Sequence, residues 1–177
     1  AQCLTGRGSV VGDLLVDDPR IACVNFTGST DAGLSIAATA AKHLTDYKFE
    51  LGGNDPFIVF EDADMDLVVK EAEDQARTTR QCCTGSKRFL VHNSLKEEFI
   101  RRLGAELDKL VIGDPMDPAV NMGPMIAERA AKQVEKQVEL TVAQGARIVR
   151  GGKRSGAFYE PTILADVMPD MDIARDM

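Results

Sequence analysis

The chain has 177 residues, 44% of them hydrophobic and 28% charged, which excludes a disordered or fibrous polymer and predicts one globular domain or slightly more. A formal charge of −7 with no basic stripe argues against the phosphate-neutralising contacts of nucleic-acid binding, and no run of about 18 uncharged apolar residues is present to cross a bilayer. The opening residues lack the basic-then-apolar order of a secretory signal, so a cytoplasmic location is expected. Cys3, Cys23, Cys82 and Cys83 have no CxxC spacing and only His43 and His92 to join them, which predicts no structural zinc or other metal. Adjacent Cys82 and Cys83 are poorly placed to bridge each other, so reduced thiols in a reducing compartment are the simpler reading.

In chain order, Ile21-Ala22-Cys23-Val24-Asn25-Phe26 is short, apolar and β-branched, then gives way to Gly28-Ser29-Thr30-Asp31-Ala32-Gly33 and small residues through Ala41. That pattern predicts strand, tight turn and helix. A second strand is expected at Pro56-Phe57-Ile58-Val59-Phe60, a helix over 67–77 leading to the two cysteines, and a strand at Arg88-Phe89-Leu90-Val91. Residues 95–110 have helical periodicity, with Phe99, Leu103 and Leu107 on one side and Gly113-Asp114-Pro115 as the stop signal. A polar loop to Pro124 precedes a long helix in which Ala131, Val134, Val138 and Val142 recur, ending at Gly145. Arg147-Ile148-Val149-Arg150 supplies another strand. The alternation predicts an α/β architecture with mainly parallel sheet.

Three places have the residue types for chemistry. Gly28 and Gly33 open a helix directly after a strand, which suits either tight backbone geometry or helix-head amides facing a pyrophosphate or ribose. Cys83 follows a predicted helix in the stretch Cys82-Cys83-Thr84-Gly85-Ser86, with Arg80, Lys87 and Arg88 close in sequence. Positive charge and helix-end amides stabilise a thiolate, so the setting permits a nucleophile, while a buried packing cysteine is the competing reading. Glu50 follows Tyr47-Lys48-Phe49 and precedes Leu51-Gly52-Gly53, flexible backbone from which its carboxylate can turn toward a cleft. A solvated surface glutamate is the alternative.

Taken in order, Phe26-Thr27-Gly28-Ser29-Thr30-Asp31-Ala32-Gly33, then Glu50-Leu51-Gly52-Gly53, then Gln81-Cys82-Cys83 followed by Arg88 resemble the aldehyde dehydrogenase superfamily. Gly113-Asp114-Pro115, Gly123-Pro124 and Tyr159-Glu160-Pro161-Thr162 agree with the same pattern. The resemblance runs from about Gly6 to Asp176 and is nearest in look to the succinate-semialdehyde dehydrogenase branch, at Asn54-Asp55-Pro56-Phe57-Ile58-Val59 and Lys87-Arg88-Phe89.

The resemblance implies the C-terminal part of a Rossmann-like cofactor domain over 1–50, then most of an α/β catalytic domain over 51–177, truncated at its C-terminus. It implies oxidation of a small-molecule aldehyde, such as succinate semialdehyde, to a carboxylic acid with NAD or NADP. Cys83 would attack the aldehyde to give a thiohemiacetal and then a thioester, and Glu50 would be the general base for its hydrolysis. Gly28, Ser29, Gly33, Leu51 and Gly52 would border the cofactor. Full-length family members are homo-oligomers.

Two departures stand out. The family carries an asparagine and a glycine ahead of its glutamine and cysteine, whereas here Arg77-Thr78-Thr79-Arg80 precedes Gln81 and is about one residue short. A cofactor lysine and an oxyanion asparagine upstream, and a ribose-holding glutamate downstream, are also expected outside these residues. The 177 residues alone are therefore expected to be inactive. A non-catalytic α/β binding or assembly module is the alternative function, and cofactor-free ester or thioester hydrolysis by Cys83 and Glu50 is a third.

Overall fold

The computed structural model describes residues 1–77 and 82–175. Gln81, the Thr78-Thr79-Arg80 approach to it, and the final Asp176 and Met177 lie outside the described residues. The chain divides into two compact units, Ala1–Gly53 and Asn54–Met177.

In the first unit a π-helical turn, Gly8–Gly12, runs into a short helix, α1 (Asp13–Val16). Strand β1 (Cys23–Thr27), helix α2 (Thr30–Ala40) and strand β2 (Asp46–Glu50) then make one β-α-β step. The two strands pair in parallel from Cys23↔Asp46 to Thr27↔Glu50, the arrangement a helical crossover permits. Strand β1 begins two residues later than its apolar run suggests and alternates, with Val24 and Phe26 half-buried between exposed neighbours. Leu44, with φ of 55°, turns the chain out of a 3-10 turn, Ala41–His43, and the Thr45 amide returns to the Ala40 carbonyl at 3.1 Å.

The second unit opens on another parallel step: β3 (Asp55–Val59), α3 (Met65–Arg77) and β4 (Ser86–Val91). Helix α3 starts two residues before the expected 67 because the Asp64 carboxylate accepts the amides of Asp66 (2.9 Å) and Leu67 (3.4 Å), capping the first turn. Helix α4 (Lys96–Leu107) buries Phe99, Leu103 and Leu107, as their spacing predicts, against Val59, Val68, Val69 and Ala72. Each of these leucines contributes about 2 kcal/mol by leaving water.

The end of α4 differs from the sequence expectation. It stops at Leu107, three residues short of the expected 110, and Arg150 holds the Leu107 carbonyl left at that end (2.8 Å), together with the Pro161 carbonyl (2.7 Å) and the Asp108 carboxylate (2.7 Å). Gly113 instead sits in a loop whose amide bonds to the Met122 carbonyl.

Helix α5 (Glu128–Ala143) buries Ala131, Val138 and Thr141 and leaves Val142 exposed. Its buried stripe centres between Val134 and Val138, which brings position 141 inward. The Thr141 hydroxyl is satisfied by donating to the Gln137 carbonyl at 2.7 Å. Gly145, with φ of +115°, reverses the chain after α5, a conformation suited to glycine.

Strands β5 (Arg147–Arg150) and β8 (Ile163–Ala165) pair antiparallel, as do β6 (Arg154–Ser155) and β7 (Phe158–Tyr159), before the short α6 (Asp172–Arg175). The described strands thus form two parallel and two antiparallel pairs, the parallel ladders being the longer, in a mixed α/β protein. No helix among the described residues is long and apolar enough to cross a membrane.

Candidate active site

The first group of site residues gathers at the carboxyl ends of β1 and β2. Thr27 and Glu50 are the last partners of the ladder, and one residue on, the Gly28 amide donates to the Glu50 carbonyl at 3.0 Å. Glu50 is therefore the closing residue of a paired strand, and irregular backbone begins only at Leu51. Its side chain is exposed. Parallel pairing puts the head of α2 at this same edge, where helix amides carry partial positive charge. Ser29 caps that helix, its hydroxyl accepting the Ala32 amide at 3.3 Å, while the Gly33 amide reaches the Ser29 carbonyl at 3.0 Å.

Each glycine here has its own reason for lacking a side chain. A Cβ on Gly28 would lie 2.4 Å from Phe26 Cζ, colliding with the end of the aromatic ring, and one on buried Gly33 would lie 2.9 Å from a Leu51 methyl. At Gly52 a Cβ would meet nothing within 4 Å. Packing within the chain thus accounts for the first two, and the third faces open space. Phe26 and Phe49 brace the edge from below in an edge-to-face contact at 6.1 Å.

The second group is a turn ahead of β4. The Gly85 amide donates to the Cys82 carbonyl at 3.1 Å, closing a turn around Cys83 and Thr84. The Ser86 amide reaches Gln75 Oε1 on α3 at 3.3 Å, and Arg88 Nε reaches the Asn54 carbonyl at 2.7 Å, tying the start of β4 to the entry of β3. Both cysteines are free thiols and exposed, so Cys83 is not a core packing residue.

Of the charged groups expected around Cys83, Lys87 bears on its neighbour Cys82, and Arg80 lies outside the described residues. Thr84 Oγ1 lies 3.3 Å from Cys82 Sγ. That hydroxyl first, then the Thr84 backbone amide, and more weakly the Cys83 side chain and the Lys87 charge, hold the Cys82 thiol below its ordinary pKa. Arg88 turns to the Asn54 carbonyl instead. The sequence signal for this was the hydroxyl two residues after Cys82. Among the described residues no three His, Cys, Asp or Glu side chains gather as metal ligands would.

The chain is thus a mixed α/β protein with a glycine-and-glutamate strand edge in one unit and an exposed cysteine turn in the other. Comparison with known proteins supplies the family. A sequence model of the aldehyde dehydrogenase family matches residues 1–176, and the chain belongs to that family.

An NADP+ succinate-semialdehyde dehydrogenase of Deinococcus radiodurans is 42% identical over 161 residues, covering 89% of this chain and 34% of that protein. The crystal structure of succinate-semialdehyde dehydrogenase from Burkholderia pseudomallei superposes with a TM-score of 0.93 at 37% identity, over 98% of this chain and 37% of that one. Betaine aldehyde dehydrogenase from Staphylococcus aureus, solved in complex with NAD+, gives a TM-score of 0.92 at 34% identity, over 97% and 35%. The chain thus spans about a third of the length of these relatives.

Proposed function

We propose that the protein carrying these residues oxidises an aldehyde to a carboxylic acid, with Cys83 as nucleophile and Glu50 as general base. The observation that carries the reading is the ordered set of motifs, matched by one family along residues 1–176, that leaves the Cys83 thiol and the Glu50 side chain both exposed. In this reading residues 1–50 belong to a Rossmann-like cofactor domain and 51–177 to the catalytic domain.

The edge at β1 and β2 suits NAD or NADP: the head of α2 offers amides and positive partial charge to an anionic group, and Gly52 leaves room beside it. Gly28, Ser29, Gly33, Leu51 and Gly52 border that group. Ser29 does so through its backbone, since its hydroxyl is turned back to Ala32. When bound, the oxidised nicotinamide supplies the hydride acceptor.

The Cys83 thiolate attacks the aldehyde carbon, forming the C–S bond and placing negative charge on oxygen, which a backbone N–H such as that of Cys83 receives. Departure of hydride from that carbon leaves a thioester. Glu50 then takes a proton from water as the water oxygen adds to the thioester carbon. The C–S bond breaks, the acid leaves and the thiolate is restored.

A short aldehyde bearing a carboxylate, such as succinate semialdehyde, is the proposed substrate, on the strength of relatives so named at 42% and 37% identity. The reading extends to a reducing, cytoplasmic setting, with which the four free thiols agree, and to a homo-oligomeric whole protein. The 177 residues alone, about a third of the relatives' length, are expected to show no aldehyde-dependent formation of reduced nicotinamide.

In the native protein, Cys83→Ala is expected to abolish that absorbance change, while Cys82→Ala keeps it. Full activity in Cys83→Ala would end the assignment.

A further inference from the structure

Buried Gly33 lies one turn into α2, and what faces it is Leu51. A Cβ there would sit 2.9 and 3.3 Å from the two Leu51 methyl carbons and 3.6 Å from Phe49 Cδ2. Leu51 directly follows Glu50, so this contact bears on the residue whose carboxylate the chemistry uses. On its other side the Glu50 carbonyl is held by the Gly28 amide at 3.0 Å, and the Phe49 ring is held by Phe26 and stacked on Tyr47 at 4.6 Å. The main chain at Glu50 is therefore fixed by the strand before it and by the seat of Leu51 on a bare patch of helix after it.

We infer that Gly33 is a positioning residue for thioester hydrolysis: by leaving the helix surface empty beneath Leu51, it sets the direction in which Glu50 offers its carboxylate to water. This rests on the reading of Glu50 as general base. The step served is the one in which the water proton passes to Glu50, the water oxygen bonds to the thioester carbon, and the cysteine sulfur leaves with the C–S electrons. The space a side chain at 33 would need is taken by the chain itself, so the inferred requirement for glycine exists whether or not the cofactor is bound. A displacement of about 1 Å in a catalytic group is enough to cost on the order of a hundredfold in rate. Leu51 can yield part of the distance by rotating its methyls, so a smaller effect is expected from one added methyl.

The test follows acyl-enzyme decay in the native protein by rapid quench and mass spectrometry, with reduced nicotinamide formed in the first turnover read in parallel. Gly33→Ala is expected to slow decay by about tenfold, and by more than it slows first-turnover hydride transfer or raises the KM for cofactor. Adding Leu51→Ala is expected to bring decay back to the rate of Leu51→Ala alone. Leu51→Phe crowds the same contact from the opposite side and is expected to slow decay likewise, which keeps the test open if Gly33→Ala does not fold. Unchanged decay in both crowded variants, a loss Leu51→Ala does not relieve, or a rise in cofactor KM that accounts for the whole effect would each overturn the inference. Glu50→Gln, run alongside, separates the two levels: normal decay in that variant removes the general-base reading itself.

Discussion

The glycine edge of the first unit and the cysteine turn of the second are held by different means. The edge is built from packing: two glycines stay bare because a phenylalanine ring and a leucine side chain occupy the space beside them, and one strand-end hydrogen bond locks the glutamate's main chain. The turn is built from polar contacts, with a backbone bond across Cys82 and Gly85 and single side-chain bonds from Gln75 and Arg88 at its exit. The units around them differ as well. The described core of the second unit includes Val59, Phe99, Leu103 and Leu107, whereas in the first the buried apolar residues are Val16 and Ala40, and Leu34 is 65% exposed. Placement at the edge thus depends on shape, and placement at the turn depends on hydrogen bonding.

The largest expected effect sharpens the contrast between the cores. Leu103→Ala, at a site only 2% exposed, is expected to lower stability by about 3 kcal/mol, while Leu34→Ala stays within about 0.5 kcal/mol, both read from urea unfolding followed by circular dichroism. Equal losses would break the comparison. Next comes the edge: Gly28→Ala forces the Phe26 ring aside and is expected to cost about 2 kcal/mol, whereas Gly52→Ala, with open space around it, is close to neutral in the same experiment.

The smallest effect concerns the turn. Cys82 carries a depressed pKa, so its thiolate persists to lower pH than that of an ordinary thiol and is lost only as pH falls through the depressed value. Iodoacetamide labelling of Cys82, resolved by peptide mass spectrometry, is expected to reach half its plateau below the pH of a small free thiol. Thr84→Val should move that midpoint upward. No movement would mean the hydroxyl does not act on the sulfur.

Much of this was legible in the sequence, and the reasons it was or was not are physical. The stripe Phe99, Leu103, Leu107 was readable because one helix face alone sets that period. The β1 to α2 turn was readable because glycine and serine mark strand ends and helix caps locally. Strand β2 was not. Asp46-Tyr47-Lys48-Phe49-Glu50 has only Phe49 half-buried, so its strand character comes from the register with β1.

The end of α4 misled for a similar reason. Gly113 and Pro115 are the visible stop, but the helix ends earlier, where Arg150, far along the chain, closes on the Leu107 carbonyl. At the candidate site the order of motifs is what proposes the residues. That the Thr84 hydroxyl and Lys87 charge bear on Cys82, and that Leu51 seats on Gly33, are facts of three dimensions.

The roles proposed for Cys83 and Glu50 meet in one measurement. The native protein bearing Glu50→Gln, incubated with succinate semialdehyde and NADP+ and then acid-quenched and digested, should carry a stable acyl mass on the sulfur at position 83 and none at position 82. An unmodified position 83 after full formation of one equivalent of NADPH, or an acyl group on Cys82 instead, would contradict the account.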